Sequence, residues 1–106
     1  MSRLKPIIFL GDSLARLRGF PESARQDTGR ELARVQVGID PLDWKPMPAV
    51  GRGVREIRVS DKPGEFRVLY VVKVVDAIYV LHAFHKKTQK TAQRDLSLAA
   101  SRYRQI

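Results

Sequence analysis

The residues of this chain most able to do chemistry lie together in Tyr79–Thr91, which reads YVLHAFHKKTQKT. An apolar segment typical of a β-strand carries His82 and His85 and continues into Lys86 and Lys87. Imidazole groups transfer protons near neutral pH, and ammonium groups bind phosphate oxygens. A rigid strand end that holds both kinds of group would be suited to binding or cleaving an RNA backbone.

The chain is long enough for one compact domain with a single core, which we expect to cover residues 1–106. It has no cysteine, which excludes disulfides, thiolate metal sites and cysteine nucleophiles. Its apolar runs are too short to cross a bilayer. We therefore expect a soluble, cytoplasmic protein with no membrane partner.

The formal net charge of +9 is unevenly distributed along the chain. Residues 1–50 hold 8 Lys or Arg and 6 Asp or Glu, whereas residues 51–106 hold 12 and 5, so the second half carries +7. Such an excess favours polyanionic partners, with nucleic acid ahead of anionic membrane. A solubilising surface or an acidic protein partner would fit the same composition, so charge alone does not decide the function.

Spacing and turn residues predict an α+β domain that consists of a strand, two helices, a meander of three antiparallel strands and a last helix. The predicted elements are Lys5–Leu10, a short helix capped by Asp12 or Ser13 that runs through Arg18, Pro21–Val37, Val54–Val59, Glu65–Val75, Ile78–Phe84 and a helix capped by Thr91. Residues 40–53 are rich in proline and predict an extended connection, attached to the body by Trp44 and Met47. We expect the helices to pack on one face of the sheet and to leave the other face open.

Alternation along the predicted strands indicates which side chains share a face. Glu56 and Arg58 lie on one side of their strand, and Arg55 lies on the other. Arg58 and Arg67 would converge with the Lys86 end of the last strand on the open face. The alignment of the strands does not follow from the sequence.

Five segments of the chain resemble the RelE/ParE superfamily of type II toxin–antitoxin toxins, and specifically its phage-derived, HigB-like branch. They are Ile7–Leu14, Phe20–Glu22, Val54–Arg58, Phe66–Tyr70 and Leu81–Thr91, which read IIFLGDSL, FPE, VREIR, FRVLY and LHAFHKKTQKT. Together they span nearly the whole chain. The resemblance implies a small RelE-like fold and a ribosome-dependent mRNA endonuclease. It also implies a cognate antitoxin, often a helix-turn-helix protein, that neutralises the toxin.

Metal-free cleavage of RNA requires the 2′-hydroxyl to lose a proton, the pentacoordinate phosphate to be stabilised and the leaving 5′-oxygen to gain a proton. The resemblance assigns the scissile phosphate to Arg67, because this residue matches the arginine of the family's strand motif. A guanidinium offers paired donors to phosphate oxygens. Arg58 would assist it or would pair with Glu56 or Glu65, and the alternative role of each arginine is a surface ion pair.

The histidines and lysines of the last strand are the candidates for proton transfer. His85 would act as acid or base, while His82 is either catalytic or a hydrogen-bonded core residue. Lys86 and Lys87 match the paired lysines of the family. They would bind phosphate or, if desolvated among other cations, serve as a general base, and the alternative is a solvated basic loop.

Four further residues are candidates for contact with RNA. Lys90 and Arg55 would add cationic contacts, and Phe84 and Tyr70 would stack on a base or belong to the core. No cofactor or metal ion is predicted. The two histidines are three positions apart on an extended strand without neighbouring carboxylates, so they do not project toward one ion.

Two functions of other classes remain open. Some branches of the superfamily inhibit DNA gyrase, and such an inhibitor would tolerate loss of the histidines. A non-catalytic basic RNA-binding module would explain the charge but not the ordered motifs. The set formed by Arg67, His85, Lys86 and Lys87 favours the nuclease, because an inhibitor has no need of groups that titrate near neutrality.

Overall fold

The computed structural model describes residues 4–62, 64–73 and 77–106. In chain order the elements are β1 Ile7–Phe9, α1 Ser13–Arg18, α2 Glu22–Gln36, β2 Trp44–Pro46, β3 Arg55–Asp61, β4 Gly64–Val72, β5 Ile78–Lys86 and α3 Gln93–Tyr103. This order confirms the predicted α+β class and is consistent with a small RelE-like fold. Pro63, Asp76 and the last two residues of the predicted strand Glu65–Val75 lie outside the described residues. Among the residues that are described, no helix is both long and apolar enough to cross a membrane.

The strands form one sheet in the order β1-β5-β4-β3-β2. The predicted antiparallel meander of β3, β4 and β5 is confirmed, and β1 joins β5 in parallel. The prediction of a purely extended connection over residues 40–53 is wrong, because Trp44–Pro46 pairs with β3 as an edge strand. An edge strand tolerates Pro46, since a residue there can lack an N–H donor without breaking the sheet.

The two faces of the sheet carry separate cores. The first face, which includes Ile57 and Val68, packs against α1 and α2. The second face, which includes Leu69 and Val71, packs against α3. The expectation that all helices pack on one face and leave the other open is therefore wrong. Adjacent residues of the central strand are apolar, so both of its faces need a covering layer.

A β-bulge in β5 determines which side chains reach each face. Leu69 pairs with His82 but Tyr70 pairs with Val80, so Leu81 is an extra residue in the register. The Nη1 of Arg102 donates a hydrogen bond of 2.9 Å to the Leu81 carbonyl. An extra residue shifts the alternation beyond it.

Gly11 makes room for the arginine that binds the bulge. It adopts a positive φ of 54°, and a Cβ atom there would lie 2.5 Å from the Arg102 guanidinium. The same guanidinium donates through Nη2 to Asp12 Oδ1 at 2.6 Å. The turn between β1 and α1 therefore depends on glycine both for its backbone conformation and for space.

Helix α3 begins later than predicted. Ala92 occupies the N-cap position, so the predicted capping role of Thr91 is wrong. The Thr91 hydroxyl donates instead to Glu56 Oε2 at 3.0 Å. The predicted inward face of the helix is confirmed, since Leu96, Ala99, Ala100 and Tyr103 pack on the second face of the sheet.

Candidate active site

Basic side chains gather on the second face of the sheet, at the end where β3 turns into β4. Arg58 lies opposite Arg67, and Arg67 lies opposite Phe84, two residues before Lys86. Lys45 of the edge strand shares this face. We call Lys45, Arg58, Arg67 and Lys86 the basic patch. The structure thus brings together three residues that the sequence proposed for the site and adds Lys45.

Arg67 lies buried among carboxylates, with only 5% of its side chain exposed. Its Nη1 and Nη2 atoms each lie 3.2 Å from Glu65 Oε1, and Nη1 also donates to the Phe66 carbonyl at 3.0 Å. Its Nε atom lies 3.6 Å from Glu56 Oε1. The alternative role of Arg67 was a surface ion pair. In the structure Arg67 forms two ion pairs instead, a buried one with Glu56 and one with the half-exposed Glu65.

Lys86 and Lys87 differ in their surroundings. Lys86 is partly buried, and burial lowers the pKa of its ammonium group. The positive charge of Arg67 lowers this pKa further. Lys87 is exposed. Both line a cleft of about 460 Å³, which we call the Arg67 cleft and whose walls are Glu65, Arg67, Lys86, Lys87, Thr88 and Gln89. A lysine held among cations reaches its neutral form at a lower pH than a free one.

Arg58 stands at the rim of the basic patch with a third of its side chain exposed. Its Nη1 lies 3.9 Å from Asp43 Oδ1. Of the two roles left open for Arg58, the pairing with Glu56 or Glu65 is not seen among the described residues, where Arg67 contacts both of these carboxylates and Arg58 approaches Asp43. An exposed pair at this distance is weak, so Arg58 keeps its charge accessible to an anion.

His82 is a core residue on the second face. It is 1% exposed, its Nε2 lies 2.7 Å from Asp95 Oδ1, and its ring stacks on Phe84 with centroids 5.0 Å apart. Burial lowers the pKa of His82, and the Asp95 carboxylate opposes this effect. These contacts fit the hydrogen-bonded core histidine that was the alternative to a catalytic role.

His85 points to the first face and is exposed. Its ring stacks on Phe66 with centroids 4.7 Å apart. A Cβ atom at Gly64 would overlap this ring, so the glycine at the start of β4 provides the space for it. The alternation predicted for the strand end is confirmed, since His82 and Phe84 share one face and His85 has the other.

A second cleft, of about 450 Å³, joins His85 to the strand end. We call it the His85 cleft, and its walls are Arg16, His82, Phe84, His85, Lys86, Lys87, Thr88, Ala92, Arg94, Asp95 and Leu98. Lys86, Lys87 and Thr88 line both clefts. The end of β5 therefore lies between the Arg67 cleft and the His85 cleft, and Lys86 and Lys87 line both of them.

The two aromatic residues proposed for stacking on RNA are buried. Tyr70 is 1% exposed within the core of the first face, which fits the core role that was the alternative to stacking on a base. Phe84 is 5% exposed, and its ring is stacked on His82. Phe84 forms part of the wall of the His85 cleft.

The two remaining candidates for RNA contact lie apart from the basic patch. Arg55 is on the first face, where its Nη1 lies 2.8 Å from Asp40 Oδ1 and its guanidinium lies 3.9 Å from the centre of the Trp44 ring. Lys90 is exposed in the segment between β5 and α3. The structure does not bring Arg55 together with Arg67.

Sequence reasoning missed the partners of the site residues. Glu56 and Thr91 contact each other beneath the basic patch, and Asp95 contacts His82. A charged residue at an inward position of an alternating strand was the available signal for Glu56. Across residues 4–62, 64–73 and 77–106, no group of three or more His, Cys, Asp or Glu side chains is placed to hold a metal ion.

Comparison with known proteins identifies the family of the chain. The model of the family described as phage-derived protein Gp49-like (DUF891) matches residues 15–104. No curated protein matches the chain. The matched residues include the basic patch and both clefts. The chain therefore belongs to the Gp49-like family of phage-derived proteins, which is a RelE/HigB-like toxin family.

Proposed function

We propose that this protein is the toxin of a type II toxin–antitoxin pair, of the HigB-like branch, and that it cleaves mRNA on the ribosome. The observation that supports the cleavage is the basic patch, which borders two clefts that share Lys86, Lys87 and Thr88. Preorganised cationic donors of this kind stabilise the charge that develops on a phosphate during cleavage.

Arg67 binds the scissile phosphate in this proposal. Its two terminal nitrogens now contact Glu65, a carboxylate whose side chain is 47% exposed. A phosphate that enters the Arg67 cleft replaces this carboxylate and accepts the same pair of donors. Arg58, whose own partner is weak, adds a second positive charge.

Lys86 removes the proton from the 2′-hydroxyl of the RNA. Its lowered pKa makes the neutral amine accessible, and Lys86 lines the same cleft as Arg67, which binds the phosphate. The 2′-oxygen then bonds to phosphorus, and the bond to the 5′-oxygen breaks. His85 or Lys87, which line the His85 cleft beside Lys86, gives the leaving oxygen its proton. The products are a 2′,3′-cyclic phosphate and a 5′-hydroxyl end.

The antitoxin is proposed on the same surface. An exposed cationic face in a chain of net charge +9 attracts an acidic segment that covers it. The adjacent reading frame should therefore encode a protein that copurifies with this chain and abolishes its toxicity. Retention of toxicity in the copurified complex would contradict this part of the proposal.

The first test is induced expression with transcriptome-wide mapping of RNA 5′ ends. We expect new ends within translated mRNA for the wild type and their loss in Arg67→Ala and Lys87→Ala. Growth arrest with DNA damage and no new RNA ends would overturn the nuclease and favour inhibition of DNA gyrase.

The second test uses purified protein with ribosomes that carry a defined mRNA. A single 2′-deoxy substitution at the mapped cut should abolish cleavage there, because the attacking hydroxyl is missing. Cleavage that persists at the deoxy position would exclude attack by the 2′-oxygen and overturn the proposed mechanism.

A further inference from the structure

Glu56 is a fully buried carboxylate in the middle of β3, at 0% exposure. Burial of a charge is unfavourable unless partners compensate for it. Lys45 stands opposite Glu56 on the edge strand, and Arg67 approaches it from β4. A glutamate at such a position needs a role beyond packing, because an apolar residue would fill the site without this cost.

The two oxygens of Glu56 contact different parts of the site. Oε2 accepts the Thr91 hydroxyl at 3.0 Å, which joins β3 to the segment that follows Lys86 and Lys87. Oε1 lies 3.6 Å from Arg67 Nε. Within the described part of the chain, neither Oε1 nor Arg67 Nε has a hydrogen-bond partner, although both atoms are buried.

The guanidinium of Arg67 therefore has two edges with separate partners. The Nε edge faces the buried Glu56, and the Nη1 and Nη2 atoms face the half-exposed Glu65. A carboxylate behind the guanidinium restrains its plane and leaves the two terminal nitrogens directed to the Arg67 cleft. Only Glu65 stands where solvent and an incoming anion can compete for Arg67.

We propose that Glu56 is the positioning residue of the site. It restrains Arg67 from behind and, through Thr91, holds the segment that carries Lys87 against the same cleft, so that the phosphate-binding and proton-transfer groups stay aligned. This inference rests on the proposed RNA cleavage. Glu65, in contrast, occupies the phosphate position until RNA replaces it.

The test compares Glu56→Gln and Thr91→Val with a matched control, Glu31→Gln. Glu31 is also a buried glutamate, at 8% exposure, but it lies on α2 and accepts the Leu42 N–H at 2.6 Å. It lines a cavity with Arg58 and, among the described residues, has no hydrogen bond to Arg67 or Thr91. Cleavage by purified protein is measured on ribosomes with a defined mRNA, with kcat and KM determined separately. The melting temperature of each variant shows whether it is folded.

We expect Glu56→Gln to lower kcat about 100-fold and to change KM by less than about threefold, since misplaced catalytic groups slow the reaction step itself. Thr91→Val keeps the charge pair and should lower kcat about tenfold, because only the anchor of the segment is lost. Glu31→Gln should leave both constants unchanged. The Nε–H signal of Arg67 in heteronuclear NMR should shift in Glu56→Gln and not in Glu31→Gln.

A Glu56→Gln protein that is folded and cleaves at the wild-type rate would overturn the inference while the proposed function stands. If Glu56→Gln does not fold, Thr91→Val decides the question, and a wild-type kcat in that variant would equally overturn it. An inactive wild type would overturn the proposed function and this inference with it.

Discussion

The two faces of the sheet use the same three strands for different purposes. On the first face, alternate residues such as Ile57, Phe66 and Val68 form an apolar core against α1 and α2. On the second face, the residues between them form an apolar core only beneath α3, and toward the β3–β4 turn they become Glu56 and Arg67. The first face thus anchors the strands through apolar packing, and the second face carries the charged residues that these strands position.

The arginines of the two faces show the same difference. Arg55 on the first face has a close partner in Asp40 at 2.8 Å and covers the Trp44 ring. Arg67 on the second face is 3.6 Å from Glu56 and shares its terminal nitrogens with the half-exposed Glu65. Arg55 is thus held by an exposed ion pair and an aromatic ring, whereas Arg67 is buried between two carboxylates, of which solvent reaches only Glu65.

The largest expected effect is at Arg67. Arg67→Ala should reduce ribosome-dependent cleavage about 1,000-fold, because it removes a preorganised donor to the phosphate. Arg67→Lys keeps the charge and should still lose most of the activity, since the paired donors are gone. Arg55→Ala on the first face is the matched control, and its cleavage rate should stay within about threefold of the wild type. Equal losses of cleavage rate in Arg67→Ala and Arg55→Ala would show that the arginines of the two faces do not differ in function.

Lys86 should set the pH dependence of cleavage. Its pKa is lowered, so the rate should rise as the pH increases toward that pKa and then become constant, as expected for a base that acts in its neutral form. Lys86→Arg stays charged throughout, so it should lose the rise and about 100-fold of the rate. A Lys86→Arg protein with the wild-type pH profile would exclude Lys86 as the base.

Substitution of His85 should affect mainly the cleavage rate, and substitution of His82 should affect mainly the stability of the fold. His85→Ala should lower the cleavage rate about tenfold at an unchanged melting temperature, because the ring is exposed and shares its role with Lys87. His82→Ala should lower the free energy of unfolding by about 2–4 kcal/mol, because it leaves a cavity and an unpaired Asp95. Denaturant titrations and cleavage assays on both variants measure the two effects. The reverse assignment of effects would show that His82 is the catalytic ring.

His82 should also make stability depend on pH. Burial lowers its pKa below the ordinary histidine value of 6.5, so the unfolded chain binds the proton more readily than the folded one. The stability contributed by the neutral ring is complete above pH 6.5 and is lost as the pH falls through the lowered pKa. The decline in unfolding free energy over this range should be absent in His82→Phe.

The smallest effect is expected at the contact that joins the turn between β1 and α1 to α3. Arg102 lowers the pKa of Asp12 to about 2, so this carboxylate stabilises the fold above pH 3.8 and loses its effect as the pH falls toward 2. The side chain of Asp12 is half-exposed, and solvent screens the contact. Asp12→Asn should lower the melting temperature by only a few degrees at neutral pH and by nothing near pH 2. A larger loss would indicate that Arg102 also depends on Asp12 to hold the bulge.

The sequence predicted the elements apart from the edge strand β2, and it predicted which residues share a face within β3. The placement of Glu56 on the same face as Arg58 and on the opposite face from Arg55 needed only the two-residue period of a strand, and the structure agrees with it. The position of α3 was not predictable in the same way. Its apolar stripe shows that the helix packs against something, but not which face of the sheet it covers.

The candidate site was predictable in its residue types and not in its contacts. The motifs indicated Arg58, Arg67 and Lys86, which the structure brings to one face. The burial of Arg67 between two carboxylates depends on strand register, which a single sequence does not specify. Thr91 shows the same limit, because its hydroxyl reaches Glu56 across 35 positions of the chain instead of capping the next helix.

The extra residue at Leu81 determines which side chains at the end of β5 lie on each face of the sheet. The residues after Leu81 are displaced by one position relative to a regular strand pairing. As a result, Lys86 lies on the same face as Arg67 and His85 lies on the opposite face. If the strands paired regularly and Leu81 were not taken up as a bulge, Glu65 would pair with His85, so an imidazole would replace the Lys86 amine on the face of Arg67. The side chain that reaches the Arg67 cleft therefore depends on whether this bulge forms, and not only on which residues the strand contains.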